Sequence, residues 1–151
     1  MGREFSFTMQ GAELIFFLRL LLAALAGGVI GWNRARAGKP AGVGTHALVA
    51  VGAALFVAIP IVAESAHGLD AVTRVIQGIA AGIGFLGAGE IFRDAGGVHG
   101  LTSAAALWGT AAVGVVAGCG SLLLLVASTA IVLLILVVSP RCESQLLGRP
   151  H

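Results

Sequence analysis

Charge is scarce in this sequence. Asp, Glu, Lys and Arg make up 11% of its 151 residues, against about 25% in a soluble globular domain. Hydrophobic residues reach 58% and the mean hydropathy is +1.00, so a water-soluble fold would lack the polar surface to cover its own core. The length suggests one domain. The net charge is only +2, and no basic cluster is dense enough to point to nucleic acid. Tyrosine is absent, which leaves Trp32 and Trp108 as the indoles able to anchor at a membrane interface. Cysteine is nearly absent too: Cys119 and Cys142 have no CxxC spacing and read as free thiols. A disulfide needs both on one oxidising side of the membrane, and the topology below separates them.

Catalytic and ligand-binding motifs are also missing. There is no G-x-S-x-G, Thr102 and Ser103 have no base within two residues in sequence, and Cys119 has no neighbouring histidine. The histidines at 46, 67, 99 and 151 are scattered without metal-ligand spacing, and the carboxylates are too dispersed for a dedicated Ca²⁺ cage. The expectation is a protein that is not an enzyme and has neither cofactor nor resident metal. Gly82-Ile83-Gly84-Phe85-Leu86-Gly87 matches G-x-G-x-x-G literally. That pattern means dinucleotide binding only between a strand and a helix, and here it lies inside a long apolar run, so the nucleotide reading is rejected.

What is abundant is apolar sequence in runs. A membrane-spanning helix needs about 20 predominantly apolar residues. Five runs meet this: Leu14–Trp32, Ala47–Ala63, Ala71–Phe92, Leu101–Ala117 and Ser121–Ser139. Gly118-Cys119-Gly120 makes a tight turn between the last two, and Pro140 is expected to stop the fifth. Arg3 and Ala24-Leu25-Ala26 resemble parts of a cleaved signal peptide, but Arg19 interrupts the apolar core and apolar sequence continues to Trp32. The prediction is an all-α membrane protein, a single transmembrane domain of about five helices embedded in the lipid bilayer.

Orientation follows from Lys and Arg near the span ends. With five spans, Arg34, Arg36, Lys39, Arg93, Arg141 and Arg149 all fall on one side. The other side has only Arg3, with Glu4, Glu13, Glu64 and Asp70 there or at that interface. An even number of spans would split the basic set. The N-terminus is therefore expected outside and the C-terminus in the cytoplasm.

Glycine supplies 23 residues, about half of them inside the apolar runs. In membranes small residues let helix backbones approach closely. Ala23-xxx-Gly27-xxx-Gly31, Gly78-xxx-Gly82 and Gly114-xxx-Gly118 have that spacing. They read as packing within one protomer or, alternatively, as the contact face of a homo-oligomer. Gly82, Gly84, Gly87 and Gly89 are expected to loosen the third span or admit a neighbouring helix.

Ionisable groups inside spans are costly and functional candidates by default. Arg19 lies roughly 9 Å below the outer interface. Asp70 and Arg74 are spaced i, i+4 on one face of the third span, and Gln77 continues it. With Glu13, and with Glu64 at similar depth, these residues form a candidate polar cluster of Glu13, Arg19, Asp70, Arg74 and Gln77. One reading is structural, with Arg19 snorkelling to a carboxylate and Asp70–Arg74 orienting a helix. The other is a polar site open to the outside, in which neutral substitution of Arg19 or Asp70 abolishes activity. Glu90 and Arg93, at i, i+3, are expected to pair at the interface, and His46 to cap or pack at the start of the second span. The fourth and fifth spans carry few polar groups and read as plain anchors, which places function between the first and third.

The residues also resemble a known family. Arg19-Leu-Leu-Leu-Ala, Gly31-Trp-Asn-Arg34 and Gly38-Lys-Pro-Ala-Gly-Val-Gly-Thr-His46 look like the start of the MgtC/SapB family. Asp70-xxx-Arg74-xx-Gln77-Gly78, Gly82-Ile-Gly-Phe-Leu-Gly-Ala-Gly89 and Gly100-Leu-Thr-Ser-Ala-Ala-Ala-Leu-Trp108 continue the pattern. The match runs over roughly residues 13–138. It departs at Asn33, where the family usually has Glu, at Gly44, usually Arg, and at Glu90, usually aliphatic. The resemblance implies a multi-pass protein of the bacterial inner membrane, linked to magnesium homeostasis, low-Mg²⁺ adaptation and virulence. It implies a regulator of other membrane systems, the F-type ATP synthase among them, with a small ion transporter or channel as the alternative. The short chain resembles forms without a C-terminal soluble domain.

Overall fold

The computed structural model describes residues 2–62, 68–95 and 97–147. In hydrocarbon a chain must satisfy its backbone N–H and C=O groups internally, and a helix does so within one segment. Five helices form: α1 Gly2–Arg36, α2 Val43–Val62, α3 Gly68–Glu90, α4 Leu101–Cys119 and α5 Leu122–Leu147. Each contains a stretch of 19 to 24 residues apolar enough to cross a bilayer. The five-span, helical expectation holds at that level. The expected end of the second span at Ala63, and Glu64, His67, Arg149 and His151, lie outside the described residues.

Several boundaries differ from expectation. The first helix continues past Trp32 to Arg36, and the second begins at Val43, so His46 lies inside its first turn. The third ends at Glu90, and Phe92 belongs to a strand instead. Pro140 does not stop the fifth helix, which runs through it to Leu147. Proline removes one N–H and crowds the carbonyl four residues back, but helices in membranes tolerate that loss. Between α3 and α4 lies a short hairpin that an all-α reading missed: β1 Phe92–Asp94 pairs antiparallel with β2 Gly97–His99. His99 holds Asp94 at 3.0 Å and stacks on Phe92 with ring centroids 5.3 Å apart. Three-residue strands carry too little alternation to be read from sequence.

α4 is the hub. It packs against all four other helices, whereas among the described residues α1 and α3 have no extensive contact with each other and both rest on α2 and α4. The expectation that the fourth span is a plain anchor is therefore corrected: half of its span is inside the bundle. The core is built of small residues, with Ala23, Ala50, Ala54, Ala106, Ala111 and Ala117 all buried. Backbones meet directly. A methyl added at Gly27 would lie 2.8 Å from the Ala50 side chain, and one at Gly114 2.8 Å from the Ala50 Cα. The turn into α5 needs a left-handed residue, which Gly120 supplies at φ 85, its N–H donating to the carbonyls of Val116 and Ala117.

Candidate functional site

The most buried polar groups gather at the end of the bundle that carries the α1–α2 connection and the hairpin. Gly27, Gly31 and Arg34 follow one another at i, i+4, i+7, on one face of α1. Close approach at Gly27 and Gly31 draws that face against α2, and Arg34 follows it into the interior, where it is 3% exposed. Its Nη2 donates to the Ser103 hydroxyl near the start of α4 at 3.0 Å. His46, fully buried in the first turn of α2, meets the Thr110 hydroxyl through Nδ1 at 2.8 Å. Thr110 Oγ1 also donates to the Ala106 carbonyl at 2.8 Å. A hydroxyl has one proton. Thr110 therefore accepts from His46, Nδ1 carries the ring proton, and in the neutral imidazole Nε2 is a bare acceptor.

Two buried polar atoms in this layer have no hydrogen-bond partner among the described residues, His46 Nε2 and Arg34 Nε. One accepts and the other donates, and each is costly to leave unmatched. Glu90, at the end of α3, acts electrostatically on Arg34, and Arg34 on His46. Three helices thus meet in one polar layer, with α1 and α2 each bonded to α4. It can lock helix positions at this end. Among the described residues no three His, Cys, Asp or Glu side chains converge as metal ligands do.

The residues singled out from sequence are distributed differently. Arg19 does not meet Asp70. Its Nη1 donates to the Gly118 carbonyl at 3.1 Å, at the far end of α4, and its guanidinium lies 5.0 Å from the Phe16 ring centroid. Glu13, Asp70, Arg74 and Gln77 are exposed on the bundle surface, and among the described residues no ion pair joins them to Arg19. The cluster expected between the first and third spans is thus not assembled among the described residues, because α1 and α3 pack mainly against α2 and α4 rather than against each other. The expected Glu90–Arg93 pair is also displaced, since α3 ends at Glu90 and Arg93 lies in β1.

Among the glycines, Gly27 and Gly31 make backbone contacts with α2 and the chain leading into it, and Gly87 faces Ala104 of α4. Gly78, Gly82, Gly84 and Gly89 have open space where a side chain would stand, and Gly78 and Gly82 line an apolar groove between α2 and α3. His46 packs as expected, but its partner went unrecognised, as did the Arg34–Ser103 link. A signal existed: Ser103 and Thr110 are seven apart and share a helical face with Gly114 and Ala117, the small-residue side of α4. Which residues of other helices meet that face depends on distant packing.

The MgtC family profile matches residues 20–145. The chain is 52% identical over 125 residues to Protein SrpB of Synechococcus elongatus, covering 76% of this chain and 69% of that protein. It is 37% identical over 142 residues to the protein of Escherichia coli K12 named "Putative magnesium transporter YhiD", covering 90% of this chain and 66% of that one. With Protein MgtC of Salmonella typhimurium the identity is 42% over 118 residues, covering 78% of this chain and 49% of that protein. The chain thus spans between half and about two thirds of the length of these relatives. No solved structure matches. A profile match across most of the chain, with relatives of this identity, places the protein in the MgtC family.

Proposed function

We propose that this protein is a non-enzymatic regulator or accessory protein of the inner membrane, tied to magnesium homeostasis and low-Mg²⁺ adaptation. Its N-terminus faces outward, and it acts through other membrane proteins such as the F-type ATP synthase. The observation that carries the reading is the placement of the polar layer. Arg34, Ser103, His46 and Thr110 are bonded across helices at one end of the bundle. Deeper in the bundle, Ala50 lies between Gly27 and Gly114 in direct backbone contact. Such an arrangement suits a device that holds helices in one setting better than a polar path through the membrane. The second reading, transport of Mg²⁺ or another ion, is favoured by the name of the relative YhiD and by the two unmatched atoms of the layer.

Growth at low Mg²⁺ and flux in proteoliposomes separate the two. In a strain lacking the gene, wild-type protein restores growth, Arg34→Gln does not, and purified wild-type protein moves no Mg²⁺ above the empty-vesicle rate. Affinity capture from mild detergent then recovers a membrane partner. Mg²⁺ flux in wild-type vesicles that disappears in Arg34→Gln would overturn regulation in favour of transport.

A further inference from the structure

α3 and α5 are the least buried spans, with only 11% of each inside the bundle. For α5 that is unremarkable: its exposed side chains include Leu122, Leu123, Leu124, Val126, Ile131 and Leu134, and lipid tails are a sufficient partner. α3 is different. The face it turns away from the bundle carries Asp70, Arg74, Gln77, Ala81, Gly84 and Ala88, all exposed, opposite the buried Ile83 and Gly87. Arg74 and Gln77 lie roughly 6 and 10 Å along the helix from Asp70 at 1.5 Å per residue. At that depth hydrocarbon offers no hydrogen bond, and polar side chains inside spans normally face a protein or a water-filled cavity.

The spacing of these six residues is 4-3-4-3-4, the a/d pattern of a helix that packs along a second helix at a shallow angle. The outer half of the seam is polar and the inner half consists of alanine and glycine, which allow close backbone approach. We propose that α3 is a dimerisation helix and that the occupant of this seam is α3 of a second copy of the chain. Copies inserted with the same orientation can bring α3 to α3 only in parallel, about a two-fold axis along the membrane normal. In a parallel seam successive layers are about one turn apart. Asp70 of one copy then stands beside its own equivalent and one turn from Arg74 of the other, whose opposite charge offsets the like pair, and the symmetry repeats the contact. Gln77 meets its own equivalent, and a carboxamide both donates and accepts. An acid and a base four residues apart on one face make the surface complementary to itself, which an arbitrary partner would not be.

Two measurements test this. In a Cys119→Ser/Cys142→Ser background, single cysteines at Ala81, Gly84 and Ala88 are compared with Leu123→Cys on α5, which is 80% exposed. Copper-phenanthroline oxidation in native membranes should give disulfide-linked dimers at the α3 positions and few at position 123. In nanodiscs or detergent, Asp70→Arg or Arg74→Asp alone should weaken dimerisation about ten-fold, the scale of one interhelical polar contact. The double variant D70R/R74D in each chain should restore it. The proposal is overturned if the α3 cysteines crosslink no better than position 123, if they crosslink to a chain of different mass, or if the double variant stays as weak as the single ones.

Discussion

Ala50 of α2 packs between Gly27 of α1 and Gly114 of α4, and its methyl group is nearly all the side chain this crossing can hold. A methyl at Gly114 would meet the Ala50 backbone, which cannot rotate away as a flexible side chain would. Gly114→Ala should therefore destabilise the bundle by about 1–3 kcal/mol, the usual cost of overpacking. Gly78→Ala, where nothing lies within 4 Å, should stay within about 0.5 kcal/mol. Thermal unfolding in detergent compares the two, and equal losses would contradict the packing described. Both glycines belong to small-xxx-small patterns that look alike in the sequence, and only one of them is in contact. Glu90 shows the same limit. Its carboxylate acts electrostatically on Arg34 of another helix. The local i, i+3 spacing of Glu90 and Arg93 suggested a different pair.

At the level of elements, helix ends decide what the apolar runs leave open. The sequence suggests a polar cluster of Arg19 with α3, whereas the structure seats it on the Gly118 carbonyl in the last turn of α4. A helix C-terminus carries unbonded carbonyls and partial negative charge, and a guanidinium stabilises it by about 0.3–1 kcal/mol at exposed sites and more when partly buried. Arg19→Met should lose this link and cost about 1 kcal/mol, while Arg19→Lys keeps the charge and recovers part of it. Faster amide exchange in the last turn of α4 in Arg19→Met, reduced in Arg19→Lys, is the expected signature; unchanged exchange would rule the capping role out. Pro140 teaches the converse. It carries a stop signal that is reliable for helices in water, and α5 runs through it.

For the whole molecule, the Arg34–Ser103 and Arg19–Gly118 bonds mark opposite ends of the bundle. Arg34, Arg36, Lys39 and the hairpin residue Arg93 belong to the first of these. If that end faces the cytoplasm, the exposed Cys119, in the turn after α4, faces outward, and the exposed Cys142, late in α5, faces inward. A membrane-impermeant maleimide should label Cys119 in intact spheroplasts and Cys142 only after permeabilisation. The reverse pattern would invert the proposed orientation.

Membrane character and five helices long and apolar enough to span were legible from the sequence, because they follow from run length and composition along the chain. The direct backbone contacts of α1 were legible as well, through the Gly27 and Gly31 spacing. Tertiary structure alone decided that α4 is the hub, that α1 and α3 pack mainly on α2 and α4, and that Arg34, His46, Ser103 and Thr110 form the buried polar layer. Periodicity says which side of a helix is small or polar, but the neighbour on that side is chosen by how all five helices pack at once, and no local pattern encodes that choice.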